Sequence, residues 1–299
     1  MADAEEPSLP EGTRRLWLDS AFGRIGVLHA GQPVAGTLPA VLIHGGGSDN
    51  ATISWARLIG PLAAGREVFA PDLPGFGASM AANPAGGPVE MAGLVADCLD
   101  RLDVGPAAVF GVSMGGDVAL NLALAHPERV AALVLVAPGG LVPLLRDRPT
   151  QWLAWLAAQL PDALLLPLGR FANRFAGSAL KAMVHDVRSL PPQVIAAFLH
   201  EARQPRGALG YTRYNQATLG RDGMRNDLSG RVQEIGVPTL IVHGANDPLV
   251  DPEGSRRAAQ NMPRARLVMV PACGHWAQLE AHERFLAETE AFLAGLDGR

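Results

Sequence analysis

The stretch AAVFGVSMGGDVALNLALAHPERV, residues 107–130, decides how this chain is read. Six strand-like residues, Ala107 to Val112, lead into Gly111-Val112-Ser113-Met114-Gly115. An alanine- and leucine-rich helical pattern follows and stops before Pro127. One hydroxyl thus sits between two glycines where a strand becomes a helix. Such a turn lifts a serine out of the fold and sets it beside the unpaired N–H groups of a helix start. Gly111 and Gly115 remove the side chains that would clash there. With 34 Gly in 299 residues, a serine is flanked this way by chance about one time in eighty. The strand before it and the helix after it give the pentapeptide its weight. The competing reading is a surface turn with a solvated serine.

A serine hydroxyl needs a base within hydrogen-bond reach, and the base needs an orienting carboxylate. Of the eight histidines, His29 and His126 read as surface residues, and His185, His200 and His282 as solvated. His44 and His243 follow apolar strands, where a structural role is at least as good a reading as catalysis. His275 stands apart, in a loop after a strand, between Gly274 and Trp276, and reads as the base. LIVHGANDPLVDPEG offers two carboxylates. Asp247, at a turn, reads as the orienting group and Asp251, before Pro-Glu, as a helix N-cap. The chain order Ser113, Asp247, His275 suits a strand–turn–helix nucleophile. A backbone oxyanion hole would take the N–H of Met114 and, from HGGGSDN at residues 44–50, that of Gly46. Gly45, Trp55, Arg203 and Trp276 complete the candidate substrate pocket. The competing reading of the glycine run is a turn that holds no ligand.

Outward from this centre, strand-like runs alternate with helical ones, which predicts a parallel sheet covered on both faces. RLWLDS and GRIGVLHAG read as an antiparallel edge pair; AVLIHGGG, EVFAPDLPGFG, VAALVLVAP, VPTLIVHG and ARLVMVPACG supply further strands. AQLEAHERFLAETEAFLAGL reads as one closing helix. Residues 138–230 break the alternation, with helical patterns and no convincing strand. The expected organisation is a core of residues 1–137 and 231–299, with 138–230 inserted as a helical lid.

Composition agrees: 48% hydrophobic, 18% charged, net charge −4. No basic block points to nucleic acid. The two cysteines, Cys98 and Cys273, make no disulfide framework and are expected free in a reducing cytoplasm. MADAEEPSLPEGTRR lacks the features of a signal peptide. QWLAWLAAQLPDALLLPLGRF, residues 151–171, is the most apolar long stretch, but Gln159, Pro161 and Asp162 interrupt it. It reads as an amphipathic helix pair that covers something, with a membrane surface as an open alternative. Neither cofactor nor metal is called for. The partner is a small-molecule substrate, and a homodimer is allowed.

Five motifs then carry a family resemblance: LIHGGG (42–47), APDLPGFGAS (70–79), GVSMGG (111–116), VPTLIVHGANDPLV (237–250) and CGHWAQLE (273–280). In this order and spacing the chain resembles the alpha/beta-hydrolase superfamily along almost its whole length. The resemblance implies an eight-stranded, mostly parallel sheet, a Ser-Asp-His triad and a helical cap over the active site. HGGG, SMGG and GHWAQLE are similar to the branch that hydrolyses carbon–carbon bonds in ring-cleavage products of aromatic compounds. That branch carries an asparagine about eleven residues after the oxyanion-loop histidine, where this chain has Trp55. It also carries a cap arginine, where this chain aligns Leu199, with Arg203 one turn later. These departures make ester hydrolysis the leading expectation, carbon–carbon cleavage the alternative and a non-catalytic ligand-binding relative the third. A serine at the elbow argues against the branches that use aspartate there, the dehalogenases and epoxide hydrolases; a cofactor-free perhydrolase would share the triad.

Overall fold

A computed structural model describes residues 9–298. The acidic opening at residues 1–8, on which the signal-peptide reading partly rests, lies outside the described residues. Eight strands form one sheet: β1 (Arg14–Ser20), β2 (Gly23–Ala30), β3 (Ala40–Ile43), β4 (Val68–Pro71), β5 (Ala107–Val112), β6 (Val130–Val136), β7 (Thr239–Gly244) and β8 (Ala265–Val270). Their order is β1-β2-β4-β3-β5-β6-β7-β8. β1 and β2 are the antiparallel edge pair expected from the sequence, and β2 also runs antiparallel to β4. From β4 onward all pairings are parallel. The central strands are buried along their whole length, which is why they read as unbroken apolar runs.

Side chains alternate between two cores. Val41, Ile43, Val109, Leu133 and Leu135 face α1 (Pro88–Arg101) and α2 (Met114–Ala125). Leu42, Phe110, Val112, Val134 and Val136 face the other way, toward Trp55, Trp276 and Phe285. Five helices fill the stretch between β6 and β7: α3 (Arg148–Ala158), α4 (Asp162–Asn173), α5 (Ala176–Met183), α6 (Pro192–Arg203) and α7 (Leu209–Thr218). The sheet resumes with β7, followed by α8 (Pro252–Asn261), β8 and α9 (His282–Ala294).

The closing helix departs from the single element expected. It is a short turn, Ala277–Glu280, then α9, with a break at Ala281 (φ −122°, ψ 43°). The cause lies in Glu280, whose carboxylate accepts the N–H groups of Gly274 (3.0 Å), Trp276 (3.1 Å) and His185 (2.7 Å). It turns back to satisfy the preceding loop rather than facing water. His29 and His282, expected at the surface, are buried instead. Glu67 lies 2.7 Å from His29 Nε2, and the Gln278 carbonyl 3.1 Å from His282 Nδ1.

The turn after β5 depends on contacts that admit no side chain. A Cβ on Gly115 would lie 2.3 Å from the Ile43 carbonyl oxygen, and one on Gly111 2.2 Å from that of Gly115. Gly115→Ala therefore forces backbone apart. Thermal unfolding is expected to register a loss of about 1–3 kcal/mol, the range for overpacking a tight interior. A melting temperature equal to the wild type would show that the turn can open without cost.

Candidate active site

Ser113 occupies the last position before α2, with φ 53° and ψ −118°. A non-glycine residue at positive φ is strained, by about 1–3 kcal/mol in typical cases. The surroundings impose it: the Ser113 N–H is tied to Val136 O at 2.9 Å, and its carbonyl accepts the N–H groups of Gly116 (2.9 Å), Asp117 (3.2 Å) and Gly139 (2.8 Å). The hydroxyl makes no capping bond to its own helix, so the backbone is held while Oγ is left to turn outward.

Asp247 and His275 follow β7 and β8, at the same carboxyl edge of the parallel sheet as Ser113. Asp247 Oδ2 meets His275 Nδ1 at 2.7 Å, while Oδ1 accepts the N–H groups of Leu249 (2.8 Å) and Val250 (3.1 Å). Burial works to raise the Asp247 pKa, but bonds from His243 and His275 outweigh it and hold the carboxyl well below the usual carboxylate range. An ionised Asp247 makes His275 Nδ1 the donor and leaves Nε2 with a free lone pair. No hydrogen bond joins His275 to Ser113 among the described residues; such contacts are often long before substrate binds. Asp251 caps α8 by accepting the Glu253 N–H at 2.9 Å, as its sequence context suggests.

His243 carries more than its strand-end position discloses. It is fully buried, and its Nε2 reaches the same Asp247 Oδ2 at 3.1 Å while Ser255 Oγ sits 2.7 Å from Nδ1. Two imidazoles thus hold one carboxylate oxygen. The Asp247 contact is local, four residues along the chain, whereas the Ser255 contact needs β7 and α8 folded together.

The loop His44–Gly47 lies against the turn that carries Ser113. A Cβ on Gly45 would come within 3.7 Å of Ser113 Cβ, and one on Gly46 within 3.3 Å of Met114 Sδ. The Gly45 N–H is already taken by Asp49 Oδ2 at 3.0 Å, and Ser54 Oγ donates to that same oxygen at 2.5 Å. Neither Gly46 nor Met114 has a backbone acceptor for its N–H among the described residues. His44 is structural: its Nε2 accepts the Leu73 N–H at 2.9 Å.

A cavity of about 450 Å³ opens beside Ser113 and Met114. Its walls are largely apolar and come mostly from the stretch between β6 and β7, among them Ala154, Ala157 and Ala158 of α3, Leu165 of α4, and Tyr211 and Asn215 of α7, with Asp251 at its edge. No arginine, lysine or histidine lines it among the described residues. Three pocket residues expected from the sequence lie elsewhere. Trp55 is fully buried against Phe110, with ring centroids 6.2 Å apart, and Trp276 packs on Phe198. Both belong to the apolar core on that face of the sheet. Arg203 is exposed and borders a separate surface groove with Leu9, Thr52 and His200. Large apolar rings are drawn into core packing, and a cation at a helix end into water. Cys98 and Cys273 are free and buried.

One cluster under the cavity went unread in the sequence. Asp117, four residues past Ser113 and fully buried, accepts the hydroxyl of Tyr214 at 2.7 Å and the amides of Asn121 (3.0 Å) and Asn226. Tyr214 and Asn226 come from the insertion, so this carboxylate ties it to the helix that begins at Ser113.

The sheet, the strand–turn–helix serine and the paired Asp247 and His275 define a class, the alpha/beta hydrolases. The family described as alpha/beta hydrolase fold matches residues 39–282, and the chain belongs to it, as an enzyme of the serine hydrolase type. Among its relatives, a 2-hydroxy-6-oxo-6-phenylhexa-2,4-dienoate hydrolase of Burkholderia cepacia is 32% identical over 91% of each chain. A 2-hydroxy-6-oxononadienedioate/2-hydroxy-6-oxononatrienedioate hydrolase of Cupriavidus pinatubonensis is 32% identical over 86% of this chain and 87% of its own. In three dimensions the chain is similar to the 2-hydroxy-6-oxo-6-phenylhexa-2,4-dienoate hydrolase of Rhodococcus sp. strain RHA1. That match has a TM-score of 0.74 and 22% identity, covering 94% of this chain and 99% of the other.

Burial pushes the Asp117 carboxyl up to about 6 from 3.8, against the bonds from Asn226, Tyr214 and Asn121 that favour its charged form. The folded protein therefore holds this proton more tightly than the unfolded chain. Its contribution to stability falls as pH rises from about 4 to about 6 and stays low above that. Asp117→Asn has no proton to lose. Its melting temperature relative to the wild type's is therefore expected to rise as pH goes from about 4 to about 6, read by thermal scans at stepped pH. Equal slopes would mean that Asp117 titrates normally.

Proposed function

We propose that this chain hydrolyses uncharged carboxylic esters of small to medium apolar groups, through Ser113, His275 and Asp247. The observation that carries this reading is the cavity lining: mostly apolar, beside Ser113, with no cationic side chain among the described residues. An ionised carboxylate drawn into such a space loses its water without gaining a partner, which costs far more than burying a neutral ester.

In the proposed reaction, Ser113 Oγ attacks the ester carbonyl carbon while His275 Nε2 accepts its proton. The negative charge that collects on the carbonyl oxygen is met by the N–H groups of Met114 and Gly46. Asp247 keeps the imidazole in the required tautomer and stabilises the cation it becomes. His275 then gives the proton to the departing alcohol, leaving an acyl group on Ser113. Water, deprotonated by the same imidazole, releases the acid. The inserted helices act as the cap that shapes the acyl pocket.

A second reading, carbon–carbon bond hydrolysis, has the more direct support of the relatives, two of which are named as hydrolases of dienoate-type acids at 32% identity. It uses the same three residues. It would have to seat a substrate carboxylate on neutral groups such as Asn215 and Tyr211, since Leu199 stands where the resembling branch has its cap arginine and Arg203 faces the solvent.

Turnover of p-nitrophenyl esters beside bleaching of a coloured ring-cleavage dienoate separates the two. Efficient ester turnover with slow bleaching is the expected result, and the opposite ranking moves the assignment to carbon–carbon cleavage. Ser113→Ala is expected to lose a factor of about 10^4 or more in kcat while melting as the wild type does. Near-normal turnover in that variant would overturn the Ser113 mechanism in both readings, whereas an unlabelled Ser113 after fluorophosphonate treatment together with no turnover of either substrate would favour a ligand-binding relative.

A further inference from the structure

The helices that wall the cavity are apolar on the wrong side for a helix in water. α3 and α4 turn alanines and Leu165 toward the cavity. Their outer faces carry Trp152, Leu153 and Leu156, then Leu164, Leu168 and Phe171, with Phe175 just beyond; these are 44% to 59% exposed. The spacing of Leu164, Leu168, Phe171 and Phe175 repeats at four, three and four, so they form one stripe. A helix apolar all round belongs in a buried setting, and a contiguous exposed apolar face marks an interaction surface.

The charges around this face indicate what it meets. From 144 to 182 the chain carries Arg146, Arg148, Arg170, Arg174 and Lys181 against only Asp147 and Asp162, although the whole chain is at −4. Both carboxylates are engaged: Asp162 pairs with Arg213 at 2.6 Å, and Asp147 caps α3 by accepting the Thr150 N–H at 2.8 Å. Beside Trp152, Arg148 and Arg221 border a groove of about 500 Å³, which Asp222 also lines. A second copy of the chain would suit the apolar stripe poorly. A two-fold contact sets a patch against itself and would bring these cations face to face. A surface of anionic lipid offers acyl chains to the stripe and phosphate groups to the guanidiniums. No helix among the described residues is long and apolar enough to cross a membrane, so the contact is with the surface.

We propose that the outer face of α3 and α4, with its arginine border, docks this protein on anionic lipid bilayers. The docking stands on this surface alone and holds whichever bond Ser113 attacks. Docked in this way, the wall of the cavity lies against the lipid phase, the source from which an apolar substrate is most concentrated.

The test is co-sedimentation of the full chain with phosphatidylcholine vesicles, with and without phosphatidylglycerol. Binding is expected to the anionic vesicles and to weaken as salt rises. Two double variants separate the contributions: L168E/F171E removes the stripe and R148E/R174E the border. Each is expected to bind about tenfold more weakly, with melting temperature and fluorophosphonate labelling of Ser113 unchanged. None of the four side chains lines the cavity. No binding by the wild type, binding indifferent to lipid charge, or full binding by both variants would overturn the proposal. So would sedimentation equilibrium that finds a wild-type dimer split by L168E/F171E, which would give the face to a second copy.

Discussion

The close approach of three backbone segments around Ser113 is the constraint on which the rest depends. Gly111 and Gly115 bring the end of β5, the start of α2 and the end of β3 within reach of one another. A Cβ at Gly116 would lie 2.6 Å from Pro138 Cβ, so the chain leaving β6 joins the same contact. The price of this packing is a serine at φ 53°. The same packing sets the glycine loop after β3 against the turn that carries Ser113, leaving the N–H groups of Gly46 and Met114 without backbone partners among the described residues. Strain here is part of the arrangement, because a relaxed turn would draw Ser113 back toward its helix.

Around that centre, buried and half-buried carboxylates act as loop holders. Asp49 fixes the glycine loop through Gly45 and Ser54, Asp247 fixes two histidines and its own turn, and Glu280 binds the backbone N–H groups on both sides of His275 and that of His185. Glu201 on α6 bridges Asn50 (3.0 Å) and the Gly77 N–H (3.1 Å), and burial pushes it up to about 7. With Asp117, this means the insertion is fastened to the core by two carboxylates whose charged forms burial disfavours. Loops satisfied by single charged groups keep their geometry only while every partner is in place.

The relatives and the cavity bear on different questions. Family membership and the shared elbow speak to the chemistry that this edge of the sheet can perform. The stretch between β6 and β7 supplies most of the cavity wall, which is largely apolar and carries no cationic side chain among the described residues, with Asp251 at its edge. Function belongs to the site rather than to the scaffold.

The sheet, the strand–turn–helix at Ser113 and the position of Asp247 and His275 just past strands were legible in the chain because each rests on local pattern: unbroken apolar runs, glycines flanking a strand end, a carboxylate and an imidazole after apolar runs. The helical stretch between β6 and β7 was legible for the same reason. Other features became visible only in the fold. Ser255 meets His243 from the next helix, Tyr214 bonds to Asp117 from 97 residues away, Glu280 takes the His185 N–H from another loop, and Trp55, Trp276 and Arg203 lie away from the cavity they were expected to line. Those outcomes turn on which side chains meet across elements, and on whether packing or water claims an amphipathic residue. Sequence spacing carries no distance between elements, so only the tertiary structure could decide them.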